Sequence, residues 1–173
     1  AGGPAAGFRR AGGLNGAFPA TMSWHWAADE EALGLFRPAA EALRRQLGRG
    51  FQLVGASFVV AEGGCAQGEA RLHLDFGPPA IPTGCTCTAL LPLQPEAFPE
   101  REGNLEYRPW DAGGELAVHR YRTGEAAVFD GKLAHRTQAF AAEAFARAGA
   151  AAPGLEGLRV LASLSFARLP PGA

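Results

Sequence analysis

Sulfur is scarce in this 173-residue chain, which has one methionine and three cysteines, Cys65, Cys85 and Cys87. An odd, irregularly spaced set excludes a disulfide-stapled scaffold and favours an intracellular reducing compartment, whether cytoplasm, nucleus or organelle. Cys85-Thr86-Cys87 lacks the second Cys or His pair that a zinc site needs, so it reads as two small side chains facing inward beside a pocket. Long apolar runs are missing, and nothing reads as a bilayer-spanning helix or as a signal peptide with a basic start and an apolar middle. An excess of one charge is missing too. Sixteen Lys and Arg stand against 17 Asp and Glu, for a net charge of −1 and a pI near 6.5. Such a balance offers no long-range attraction to nucleic acid. No internal repeat is visible. The chain starts at Ala1 without a methionine, which leaves open a targeting segment or further domain ahead of it.

What is present suffices for a packed core: 47% of residues are hydrophobic and 19% charged. One domain over 1–173 is expected, with 1–50 as lead-in and helix and 51–168 as the β core. Residues 1–20, rich in Gly, Ala and Pro, read as a looping lead-in. Asp29-Glu30-Glu31 opens a helix that runs to about Leu47 and stops at Gly48, and Pro38 predicts a kink or break near Arg37. Just before the helix, Trp24-His25-Trp26 reads as a hydrophobic staple on the core or as the lining of a substrate entrance. Strand candidates follow near 51–61, 69–76, 85–92, 104–108, 115–121, 125–130, 133–140 and 158–167. About eight short strands after one helix predict a mainly β (α+β) fold, a double-stranded β-helix of the jelly-roll, cupin-like type.

Chemistry concentrates at two places. In Ala70-Arg71-Leu72-His73-Leu74-Asp75-Phe76, period two sends His73 and Asp75 to one face and Leu72, Leu74 and Phe76 to the other. Sixty-two positions after His73, a further histidine stands in Lys132-Leu133-Ala134-His135. Two imidazoles and one carboxylate on one face of a metal leave three positions open, which is what oxygen activation at non-haem Fe(II) needs and what structural metal binding does not.

Other motifs follow in order: Gly103-Asn104-Leu105-Glu106-Tyr107, then Gly124-Glu125-Ala126-Ala127-Val128-Phe129-Asp130-Gly131, His135, and Arg159-Val160-Leu161-Ala162-Ser163-Leu164-Ser165-Phe166. Over about residues 50–168 the series resembles the Fe(II)/2-oxoglutarate-dependent dioxygenase superfamily. The resemblance implies His73, Asp75 and His135 as iron ligands and catalytic centre, 2-oxoglutarate as cosubstrate, and ascorbate as a stimulant. It also implies a basic residue for the distal carboxylate of 2-oxoglutarate, for which Arg159 is the match. That arginine lies twenty-four positions after His135, where the family usually has ten to fifteen, and a helical turn or two inserted at 141–150 would account for the difference. The implied reaction is a hydroxylation that releases succinate and CO2, and the carboxylate at Asp75 favours hydroxylation, demethylation or desaturation over halogenation.

Alternation supports Arg159 independently. Leu158, Val160, Ala162, Leu164 and Phe166 form an apolar face, while Arg159, Leu161, Ser163, Ser165 and Ala167 form the other. A guanidinium binds a carboxylate through two parallel hydrogen bonds, and Ser163 is the expected second contact, with Tyr107 a third. Arg136, next to His135, belongs to the opposite face. His119 reads as a surface or cross-strand partner, and Thr88 and Asp130 receive no role. The alternatives are a catalytically degenerate oxygenase-fold binding module, an isomerase-type cupin, and a nucleobase-directed oxygenase or demethylase. The substrate itself is not legible, and the charge balance favours a small molecule or a protein side chain.

Overall fold

The computed structural model describes residues 6–12, 22–48, 50–62, 70–76, 83–93, 103–111, 113–122, 124–139 and 158–168. Among these residues nine strands and one helix occur, in the order β1 (Phe8–Gly12), β2 (Met22–Ala27), α1 (Glu30–Leu47), β3 (Phe51–Glu62), β4 (Thr86–Pro92), β5 (Leu105–Tyr107), β6 (Ala117–His119), β7 (Ala127–Phe129), β8 (His135–Thr137) and β9 (Leu158–Arg168). Two antiparallel sheets result, one ordered β1-β2-β3-β9-β4-β7 and a smaller one ordered β6-β5-β8. This is the jelly-roll, double-stranded β-helix arrangement.

Alternation along the long strands divides the apolar residues between two layers. Met22, Trp24, Val59, Ala61, Leu90, Ala127 and Leu161 of the large sheet meet Leu105 of the small sheet in an interior cluster. The opposite face carries Ala56, Cys87, Ala89, Ala162, Leu164 and Phe166, which pack with Phe36 and Ala40 of α1. Strand β9 lies between β3 and β4, and Leu164 and Phe166 are fully buried at its centre. A bulge between Leu53 and Gly55 shifts the β3 register there. A Cβ at Gly55 would come within 3.3 Å of the Trp26 ring, so the missing side chain makes room for the indole.

The helix forms where expected. Asp29 accepts a hydrogen bond from the Ala32 amide at 2.9 Å, and Gly48, at φ 88°, donates its amide to the Arg44 carbonyl at 3.2 Å. Of the kink or break expected near Arg37, the break does not occur: α1 continues through Pro38. Phe36 and Ala40, buried on either side, hold the helix against the sheet and offset the roughly 3 kcal/mol that an interior proline costs.

Three other expectations change. The lead-in contains β1, and Trp24-His25-Trp26 is part of β2, so both extend the large sheet. Met22 and Trp24 enter the interior cluster with Trp26 packed against it, whereas Ala27 joins the helix side: a period of two that an aromatic pair at one position concealed. The run 69–76 is not a full strand, since only His73 pairs, in a bridge to His135. Leu74, on the face away from His73 and Asp75, is 42% exposed. Finally, Cys87 lies under the helix and not beside the site, and burial, with Asp130 adding to it, pushes its thiol up to about 11. Cys65 and the segment 141–157 fall outside the described residues.

Candidate metal centre

His73 and His135 reach one point from two segments held together by their own backbones. The His73 amide donates to the His135 carbonyl at 2.9 Å, and the His135 amide donates to the His73 carbonyl at 3.0 Å. Each ring is then oriented by the residue two positions before it, with His73 Nδ1 3.0 Å from the Arg71 carbonyl oxygen and His135 Nδ1 2.9 Å from that of Leu133. A carbonyl can only accept, so both Nδ1 atoms carry the proton and both Nε2 atoms carry the lone pair in the neutral ring.

Both Nε2 atoms face the same oxygen of Asp75. The separations from Asp75 Oδ1 are 3.8 Å for His73 and 3.6 Å for His135, too wide for hydrogen bonds and within the span of one ion. The three ligand atoms lie within 4.8 Å of one another. Asp75 Oδ2 accepts a 2.6 Å hydrogen bond from the Thr88 hydroxyl, which turns Oδ1 toward the imidazoles. Burial, and next the neighbouring His135, hold the His73 pKa below its ordinary 6.5, opposed by the Arg71 carbonyl and by Asp75. The neutral form that a metal requires is therefore favoured. His135 is buried, its ring centre 4.7 Å from that of Phe129 in an edge-to-face contact, while the Asp75 side chain keeps 26% of its surface, so the centre opens on the carboxylate side.

A narrow cavity of about 40 Å³ leads inward from the triad. Met22, Trp24, Val59, Leu90 and Leu161 make its apolar wall, and Ser163 is on its lining. Arg159 points from the same face of β9 and is buried. Its guanidinium donates to the Gly103 carbonyl and stands 5.1 Å from the centre of the Tyr121 ring. Burial lowers its pKa from the ordinary arginine value, and the contact with Tyr121 opposes that shift. Tyr107 does not join this lining. It sits opposite His135 across the β5–β8 pair and faces a neighbouring cavity of about 400 Å³ with His119, Phe129 and Leu133. Arg136 is on the other face of the small sheet, paired with Glu106 at 2.6 Å.

Three contributors were missed: Thr88, which holds Asp75; Tyr121, which stacks on Arg159; and Asp130. Alternation on β4 was a usable signal for Thr88, since Cys87 and Ala89 are apolar and Thr86 and Thr88 share the other face. Nothing local marked Tyr121.

No protein-family model matches the sequence, and no curated protein matches it. Solved structures do match the fold. A prolyl-4-hydroxylase from Pseudomonas putida superposes with a TM-score of 0.58 at 18% identity, over 92% of this chain and 77% of that one. HygX from Streptomyces hygroscopicus, solved with nickel and 2-oxoglutarate bound, gives 0.55 at 13% identity, over 93% and 82%. The nogalamycin epimerase SnoN, in complex with Fe3+, alpha ketoglutarate and nogalamycin RO, gives 0.57 at 16% identity, over 98% and 73%. The chain has the fold of the Fe(II)/2-oxoglutarate oxygenases.

Proposed function

We propose that the chain is an Fe(II)- and 2-oxoglutarate-dependent oxygenase that hydroxylates a small molecule or a protein side chain. The observation that carries this reading is the pair of imidazoles fixed through Nδ1, with both Nε2 atoms aimed at one oxygen of Asp75. Two histidines and one carboxylate converging in an oxygenase fold fit Fe(II), and the shared fold with proteins that bind 2-oxoglutarate supports that cosubstrate.

His73, Asp75 and His135 would hold the iron. Such a centre would supply oxidation by dioxygen, one oxygen atom going into succinate as 2-oxoglutarate loses CO2 and the other into a C–H bond of the substrate. The protein's part is positioning. Arg159 and Ser163, on one face of β9, bind the distal carboxylate of the cosubstrate, the arginine turning from Gly103 and Tyr121 to reach it. The wall of Met22, Trp24, Val59, Leu90 and Leu161 excludes water from the reacting groups. Tyr107, beside His119 and Phe129, faces the larger cavity and contributes to substrate binding there rather than to the cosubstrate. A near-neutral net charge supports a substrate other than nucleic acid.

Succinate formation from 2-oxoglutarate with Fe(II) and ascorbate, measured with and without pools of metabolites and peptides, tests the reading. Mass spectrometry should find a substrate heavier by one oxygen. Failure to bind Mn(II) or Fe(II) at the triad would overturn it.

A further inference from the structure

Asp130 occupies the turn between β7 and β8, five residues before His135, and its carboxylate accepts three hydrogen bonds. Oδ2 accepts from the Gly84 amide at 2.6 Å, and Oδ1 accepts from the Lys132 amide at 2.8 Å and the Thr86 hydroxyl at 3.2 Å. Its own carbonyl accepts from the Leu133 amide at 2.8 Å, and it is the Leu133 carbonyl that orients the His135 ring. On the other side, Gly84 and Thr86 lead into β4, where Thr88, on the same face as Thr86, holds Asp75. The next residue, Gly131, accepts from the Phe76 amide at 3.1 Å, directly after Asp75. A Cβ on Gly131 would stand 2.2 Å from Cδ2 of Phe76, so a side chain there would displace the ring that follows Asp75.

Three segments that carry or orient metal ligands therefore converge on one two-residue turn. Gly84 and Asp130 lie forty-six positions apart, and neither helix nor sheet pairing joins them at that point. A carboxylate suits the place because all three partners are donors. We propose that Asp130 is a positioning residue of the metal centre, with Gly131 as its required neighbour: it sets the distance between the His135 turn and the Thr88–Asp75 pair. The inference rests on the triad being a metal site.

The substitution Asp130→Asn separates the two halves of this role. Its Oδ1 keeps the Lys132 and Thr86 bonds and so the turn, while its amide group turns a donor toward the Gly84 N–H and breaks the tether to β4. Binding of Mn(II) and Co(II) is measured by calorimetry on wild type, Asp130→Asn, Gly131→Ala and the exposed control Glu125→Gln, together with the melting temperature of each metal-free protein and the visible spectrum of the Co(II) forms. We expect Asp130→Asn and Gly131→Ala to weaken binding by about tenfold or more and to alter the Co(II) spectrum, as is usual for groups behind metal ligands. Metal-free Asp130→Asn should melt close to wild type, and Glu125→Gln should match wild type throughout. Wild-type binding with unchanged affinity and spectrum in Asp130→Asn would overturn the inference and leave the metal site standing. Absence of binding in wild type would overturn both.

Discussion

The two faces of the small sheet carry polar clusters back to back, and they are built on opposite terms. On the outer face Arg136 and Gln138 both donate to the Glu106 carboxylate, at 2.6 and 3.1 Å. On the inner face His73, Asp75 and His135 are each fixed by a third party, the Arg71 carbonyl, the Thr88 hydroxyl and the Leu133 carbonyl, and the two Nε2 atoms stand 3.8 and 3.6 Å from Asp75 Oδ1. Mutual satisfaction stabilises a fold. Imidazoles and a carboxylate oriented from outside toward one point, at separations too wide for hydrogen bonds to each other, suit an ion between them.

The largest effect should follow from removing an inner-face ligand. His135→Ala is expected to lower Mn(II) affinity by more than about 100-fold and to abolish turnover, with a folded apoprotein by circular dichroism. Retained metal binding would break the contrast. Next comes Arg159→Ala, which should raise the 2-oxoglutarate requirement about thirty-fold to several-hundred-fold, the equivalent of about 2 to 4 kcal/mol for a charge-assisted bidentate contact, with metal affinity little changed. Arg159→Lys should recover part of that loss, because a point charge cannot reproduce the planar fork.

On the outer face, Arg136→Ala should act on stability alone. It leaves Glu106 half-buried without its closest partner, for about 1 to 2 kcal/mol in urea unfolding, and metal and cosubstrate binding should stay as in wild type. If it damaged cosubstrate binding while Arg159→Ala did not, the two faces would be assigned the wrong way round. The smallest effects belong to His25 and His119, whose alanine variants should bind metal as wild type does. Burial, and then Arg10, hold the His25 pKa below 6.5. Its unfolded form therefore takes up a proton first, and stability should fall as pH drops from 6.5 through the lowered value. His25→Ala should flatten that part of the stability curve.

The convergence of His73, Asp75 and His135 was legible in the chain because period-two alternation of extended backbone puts the candidate ligands of His73-Leu74-Asp75 on one face. The opposite facing of His135 and Arg136, and of the two sides of β9, was legible for the same reason. Less legible was the support. The run 69–76 has the composition of a strand, but its pairing is one bridge, since whether a segment pairs depends on a neighbour sixty residues away. Trp24-His25-Trp26 read as a staple because its partners, Phe58 and its neighbours in β3, are thirty or more residues distant.

Local order therefore came from the sequence alone: the capped helix from Asp29 to Gly48, the strand faces, the ligand types and the turn before His135. What only the tertiary structure decided was which polar groups close on each other and which remain apart. Cys87 and Thr88 are adjacent, and their strand predicts opposite faces for them. That one meets the helix and the other holds Asp75 depends on which layer packs against which face. Likewise Asp130 meets Gly84 across forty-six residues, and Arg159 meets Tyr121 across thirty-eight. Such contacts are not encoded in any short window, because the geometry of a hydrogen bond is set to a few tenths of an ångström by the packing of the whole barrel.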